Sequence, residues 1–140
     1  MIEKTILDYL GTQLSVPVYM ERPLDPPASY VILERTGGSI SNVVIGSATF
    51  AVQTYAASLF GAASLAHTVV DVIGGLEAYA EVSDVAIDGL YNFTDTQTKD
   101  YRYQVVVHVI YYHMETGTSG VDSGTSSGTI SGTSAGTNNA

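Results

Sequence analysis

Tyr101-Arg102-Tyr103-Gln104-Val105-Val106-Val107-His108-Val109-Ile110-Tyr111-Tyr112 is the strongest strand signal in this chain, and its reading decides the fold. The odd positions, Tyr101, Tyr103, Val105, Val107, Val109 and Tyr111, are all apolar or aromatic. The even positions are mixed: Arg102, Gln104, Val106, His108, Ile110 and Tyr112. Successive side chains of a strand point to opposite faces, so one face of this segment belongs to a core. The other is too apolar to be wholly wet, and a partner surface is the expected cover for it.

Such a strand needs neighbours, and the upstream sequence supplies them. Within residues 43–57, Ala48, Phe50, Val52 and Ala56 alternate with Ser47, Thr49, Gln53 and Tyr55, the pattern of a sheet with one buried face. Residues 30–34, Tyr30-Val31-Ile32-Leu33-Glu34, are rich in β-formers and apolar on both faces. Thr36-Gly37-Gly38-Ser39 is expected to break that strand. The span 36–46 exceeds a tight turn, which predicts a hairpin with a protruding tip or arm. Residues 82–91 alternate weakly, with Val85 and Ile87 on one face and Asp84, Ala86 and Asp88 sharing the other. A further short strand is expected at 18–21.

Two segments carry helical periodicity. Ile2, Ile6, Leu10 and Leu14 recur every four residues, and Val16-Pro17 ends the pattern because the residue before proline is pushed out of the α region. Ala62, Leu65, Ala66, Val69, Ile73 and Leu76 form the apolar stripe of a second helix, with Gly74-Gly75 as its stop or fray point. This helix is expected to be the principal layer over the sheet. The order α-β-β-β-α-β-β gives an α+β fold, a mainly antiparallel sheet with both helices on one face.

The 140 residues divide into two unlike materials. Residues 1–115 suit one domain able to bury a core. Residues 116–140 hold six Gly, six Ser and six Thr, with Val121 and Ile130 as the only sizeable apolar side chains. Glycine recurs every four residues from Gly120 to Gly136. Such a segment cannot offset its ordering entropy by apolar burial, so a flexible polar extension is expected.

Charge and composition exclude several chemistries. The chain has 14 acids against 5 bases, a net charge of −9, and no cysteine. Lys4, Arg22, Arg35, Lys99 and Arg102 are scattered singly, so the cluster that phosphate neutralisation requires is missing and sequence-specific nucleic-acid binding is not expected. Without cysteine there is no disulfide, thiolate zinc site, iron–sulfur cluster or thiol nucleophile. The opening residues mix an acid and a base with spaced apolar side chains, unlike a signal peptide. No uninterrupted apolar run approaches the roughly 20 residues of a membrane span, and a soluble protein without a membrane partner is expected.

The residue types that could carry catalysis or bind a metal have plainer roles here. His67 and Asp71, four apart on the second helix, are a solvated pair without a third ligand. His108 and His113 are five apart on a strand and fall on opposite faces. Asp84 and Asp88 lie roughly 13 Å apart along a strand, beyond the roughly 5–9.5 Å of a glycosidase pair. No Gly-x-Ser-x-Gly elbow or Gly-Lys-Ser/Thr loop occurs, and Asn92-Phe93-Thr94 matches a glycosylation sequon without a secretory signal. No cofactor, metal or catalytic residue is expected. Tyrosine is the one unusual enrichment, and Tyr101, Tyr103, Tyr111 and Tyr112 suit core packing and an interface about equally.

The order of these elements resembles a known family. A short N-terminal helix is followed by Val16-Pro17-Val18-Tyr19, a proline loop into Pro27-Ala28-Ser29-Tyr30-Val31-Ile32-Leu33, and a long strand with Phe50-Ala51-Val52-Gln53. An Ala-rich helix and a closing Tyr-x-Tyr-Gln-Val-x-Val strand complete it. Over residues 1–112 this is similar to the tail terminator, or tail completion, proteins of long-tailed bacteriophages and phage-derived particles. The resemblance implies a non-enzymatic virion protein, assembled in the host cytoplasm. It would form a ring, usually a hexamer, that caps the head-proximal end of the tail tube. Its implied partners are copies of itself, the tail tube protein and the head connector, with DNA passing through unbound.

A ring subunit needs two different faces that meet head to tail. The expected interface residues are Gly37, Gly38, Ser39, Ile40, Ser41 and Asn42 of the hairpin, and Arg102, Gln104, His108 and Tyr112 of the last strand. Around a DNA channel the acid excess also acquires a role, and Glu81, Asp84 and Asp88 are expected to line the lumen. Two alternatives stand beside this one. The first is another neck or tail component, a head-closure or tube protein. The second is a small ligand-binding α+β domain whose pocket includes His108 and Tyr112.

Overall fold

A computed structural model describes residues 1–40 and 44–112. The elements follow the order α1 (Ile2–Gln13), β1 (Val18–Tyr19), β2 (Tyr30–Ile40), β3 (Ile45–Tyr55), α2 (Leu59–Ile73), a 3-10 turn at Gly74–Ala78, β4 (Val82–Asn92) and β5 (Arg102–Tyr112). The five strands form one sheet in the order β1-β2-β3-β5-β4. Every neighbouring pair is antiparallel except β1 with β2. The fold is thus α+β, as its periodicity implies.

The core lies between the sheet and both helices. Ile2, Ile6 and Leu10 of α1 and Ala66, Val69 and Ile73 of α2 join one apolar cluster with Leu33, Phe50, Val52, Val105, Val107 and Val109. The inward positions of β5 are the odd ones, so the alternation that opens the sequence reading is the core face of a central strand. Thr54, the one fully buried polar side chain among the described residues, donates from Oγ1 to the Ala62 carbonyl at 2.9 Å and ties β3 to the first turn of α2. Tyr9 donates its hydroxyl to the Val72 carbonyl at 2.5 Å, joining the two helices.

The second helix starts earlier than its apolar stripe suggests. Ser58 caps it, accepting the Gly61 amide on its side chain at 3.0 Å, which satisfies one of the orphan donors of the first turn. Taken with the 3-10 turn, the run Leu59–Ala78 is long and apolar enough to cross a membrane by length and composition. Here the α-helix ends at Ile73, and Ala62, Ala66, Val69, Ile73 and Leu76 are buried in the core.

Three expectations are corrected. β2 does not stop at Thr36-Gly37-Gly38-Ser39; it continues to Ile40 and pairs with β3 as far as Ile40↔Gly46. The strand passes the glycines through a register irregularity between Arg35 and Gly37, with Gly38 at φ +141°, a conformation only glycine adopts without strain. The Arg35 guanidinium fastens this irregularity, bonding the Gly37 carbonyl at 3.2 Å and, within 3.5 Å, that of Ser47. In consequence residues 37–40 and 46–49 are paired strand and not loop, while residues 41–43, where a protruding tip is expected, lie outside the described residues. β3 is paired with β5 along its whole length, from Ile45↔Tyr112 to Tyr55↔Arg102.

The third correction concerns β4. Asp84 and Asp88 do not share a strand face, because the register shifts between Ile87 and Gly89 and leaves Asp88 outside the ladder. A second shift leaves Ser83 out in the same way. Such bulges bend a strand and blunt it against edge-to-edge pairing. The expected strands at 18–21 and 43–57 are shorter in the structure, at two and 11 residues. Ser41, Asn42, His113 and the 116–140 extension lie outside the described residues.

Candidate interaction surface

Because both helices occupy one face of the sheet, the even-numbered side chains of β5 point the other way. Cross-strand pairing builds the outer face row by row. Tyr30, Tyr55 and Arg102 align at one end; Gln53, Gln104 and Tyr91 follow, then Thr49, His108 and Ala86. The far end carries Ser47, Ile110 and Asp84, and finally Ile45 with Tyr112.

The first of these ends is an aromatic–arginine cluster. Tyr30 and Tyr55 stack with centroids 4.6 Å apart and an interplanar angle of 3°. Arg22 and Arg102 each lie 5.7 Å from the Tyr55 ring, and Arg102 is 4.5 Å from that of Phe93. Guanidinium over an aromatic face is an attractive placement of charge on the ring quadrupole. A hydrogen-bond chain then crosses the sheet. Arg102 donates to the Tyr55 hydroxyl at 3.1 Å, Tyr55 to Gln53 at 3.2 Å, Gln53 to Gln104 at 3.0 Å, and Gln104 to the Tyr91 hydroxyl at 2.5 Å. Arg22 pairs with Asp100 at 3.1 Å, binding the loop before β2 to the turn before β5. In that turn the Gln97 and Thr98 amides hold the Asp95 carboxyl below its ordinary value.

The opposite end is apolar. Ile40, Val44, Ile45 and Tyr112 are all exposed, gathered where β2 meets β3 and β5 finishes. Behind them, on the helix side, Arg35 pairs with Glu3 at 3.2 Å and reaches the Tyr111 hydroxyl at 3.4 Å. Burial there favours loss of charge, but the bonds the guanidinium donates to Tyr111 and Glu3 outweigh it and raise its pKa.

The residues singled out from sequence therefore fall into two groups. Arg102 and Gln104 belong to the aromatic end. His108 and Tyr112 lie toward the apolar end, on the sheet face that Gly37 and Ser39 extend; Ser39 bonds Ser47 side chain to side chain at 3.3 Å. Gly38 and Ile40 turn to the helix side, opposite Ala48 and Gly46. His108 Nδ1 is 3.3 Å from the Thr49 hydroxyl on the open strand face, and Tyr112 lies four residues further along. The three acids are not brought together: Glu81 accepts the Thr5 hydroxyl at 2.6 Å, Asp84 faces outward opposite Ile110, and Asp88 sits in the β4 irregularity. His67 and Asp71 are exposed on α2, and no group of three or more potential metal ligands occurs among the described residues.

Arg22, Tyr30, Tyr55, Tyr91 and Phe93 are the part of this surface that sequence reading misses. They come from four separate segments, and only the count of 10 tyrosines hinted at them. No family model matches the chain, and no curated protein matches it either.

Proposed function

We propose that this protein is a structural subunit that assembles with copies of itself into a ring at the head-proximal end of a phage tail tube, ending tube growth and joining tail to head. The observation that carries the reading is the outer face itself. One sheet face has no helix over it among the described residues, one of its ends is rich in Tyr and Arg, and at the other Ile45 and Tyr112 are exposed on it, with Ile40 and Val44 exposed at the rim beside them. Tyr and Arg dominate the energetics of protein interfaces, and clustered exposed apolar side chains mark surfaces that a partner covers. Two chemically different ends on one subunit suit head-to-tail assembly better than a self-complementary dimer.

The order of elements adds the likeness to tail terminators, and a hexamer is the form that likeness implies. The net charge of −9 suits a body through which DNA passes without adhering. His108 and Tyr112, the polar groups of the ligand-binding alternative, lie on an open sheet face and at its end, so the assembly reading is preferred. The hairpin end is the contact to an adjacent ring or subunit. Deleting residues 39–42 should leave a folded domain, with an unchanged far-ultraviolet spectrum and cooperative melting, that no longer assembles in gel filtration with light scattering. Assembly at the wild-type level by that variant would refute the hairpin contact.

A further inference from the structure

β1 and β2 are parallel neighbours, and a tight turn cannot join such a pair; the chain between them has to run back along the sheet. Residues 20–29 make that return, and Arg22 carries them over the outer face. Its guanidinium lies 5.7 Å from the ring of Tyr55 on β3, and its Nη1 donates to the Asp100 carboxylate at 3.1 Å, just before β5. Beneath this crossing Tyr30, Ile32 and Tyr55 form a small second core, with Tyr19 packed against it, on the face opposite the helices. The crossing accounts for the burial of two tyrosines on a face that no helix covers.

The cover is held loosely. Among the described residues, the Arg22–Asp100 pair is the only hydrogen bond or ion pair that segment 20–29 makes. Its two side chains are 54% and 30% exposed, so water and salt weaken it. Pro23, Pro26 and Pro27 bring no amide donor with which to add another, and Met20 and Leu24 are exposed and take no part in the second core. The closed arrangement also has a cost. The Tyr30 hydroxyl is buried without a hydrogen-bond partner among the described residues, and burial pushes its phenol pKa up, so it stays a neutral donor left unmade. A segment with one polar tie and an unmade donor beneath it belongs to the low-stability end of a fold.

We propose that residues 20–29 are a releasable strap, latched by Arg22 on Asp100, which keeps the aromatic end of the outer face covered until a second copy of the chain takes its place. With the strap off, Tyr30, Ile32 and Tyr55 become continuous with Tyr91 and Phe93, which are exposed already at the same end of the sheet. The inference rests on the assembly reading for what replaces the strap, and on the strap's own contacts for its release.

The test is hydroxyl-radical footprinting of the full chain, read by mass spectrometry, beside light scattering over a concentration series. Asp100→Asn takes away the carboxylate of the latch and keeps both arginines. Arg22→Gln opens the latch from the other side and is read by footprinting alone, because Arg22 also lies over Tyr55. Each should raise oxidation of Tyr30 and Tyr55 about fivefold, the upper worth of an exposed ion pair. Tyr9 and Tyr111, buried on the helix side, should stay protected, which separates release from unfolding. Salt should raise the same two signals in the wild-type chain and change them little in either variant. A surface open part of the time binds in proportion to its open fraction, so in Asp100→Asn the apparent dissociation constant between subunits should fall by the factor by which oxidation rises. Unchanged oxidation of Tyr30 and Tyr55 in both variants would overturn the strap and leave the ring reading standing. Oxidation that rises without tighter association would overturn its role as the cover of an assembly surface. A chain that stays monomeric at every concentration while oxidation rises would keep the release and sink the ring.

Discussion

Phe50→Ala is expected to lower the midpoint of thermal unfolding by about 15 °C, since loss of a fully buried Phe costs about 3–5 kcal/mol and a domain of this size shifts roughly 4 °C per kcal/mol. Phe50 is the largest of the wholly buried side chains, and it sits on the middle strand of the sheet, opposite Arg35 on β2 and Val107 on β5. Both helices contribute to the cluster it belongs to, so a cavity there has no single flexible wall that can collapse to fill it. The loss is a large part of the roughly 5–15 kcal/mol that a domain has in total. Calorimetry of the two proteins side by side makes the check. A shift below about 5 °C would mean that the core between sheet and helices repacks far more freely than its burial implies.

Gly38→Ala is the second large effect, and it acts on the surface more than on the core. A Cβ at this position would lie 2.2 Å from the Ser47 carbonyl oxygen and 2.9 Å from the Ala48 Cα, both backbone atoms of the paired strand. The positive φ adds a backbone cost of about 1–3 kcal/mol for any L-residue. The nearest relief is to part β2 from β3 beyond Arg35, which also displaces the guanidinium now 2.8 Å from that Cβ position. Amide exchange should therefore quicken at Ser39 and Ile40 while the Leu33 and Val52 amides stay protected, and assembly should weaken with the hairpin end. Gly37→Ala is the control, because nothing lies within 4 Å of a Cβ there. Equal behaviour of the two variants would show that the Gly38 conformation does not hold the hairpin.

These two sites show what was legible in the sequence and what was not. Phe50 could be placed in the core from period-two alternation, because burying one face of a strand leaves that mark directly in the order of residues. The same held for α1, α2 and β5. Gly38, by contrast, reads in sequence as a strand breaker. Local chemistry favours a turn at Gly-Gly, but pairing with β3 and three donors on Arg35 carry the strand through, and neither is visible in a window of residues around the glycines. Alternation misplaces Asp88 for a related reason: it assumes an unbroken ladder, and one bulge shifts every later side chain by a face.

The interaction surface was half legible. Arg102, Gln104, His108 and Tyr112 follow from counting along one strand. Their partners do not, because Arg22, Tyr30, Tyr55 and Phe93 meet only through the sheet order β1-β2-β3-β5-β4, in which the crossover through α2 places β4 beyond β5. Charge scattered singly along the chain reads as unorganised. Folded, two of the five bases, Arg22 and Arg102, meet over the Tyr55 ring at one end of the sheet.

The most direct test of the central claim is the shape and mass of the full-length protein at neutral pH and low salt, by native mass spectrometry with negative-stain electron microscopy. The account predicts a closed ring of identical subunits with an open central channel. A monomer, or a two-fold dimer that buries the same patch from both subunits, would contradict it.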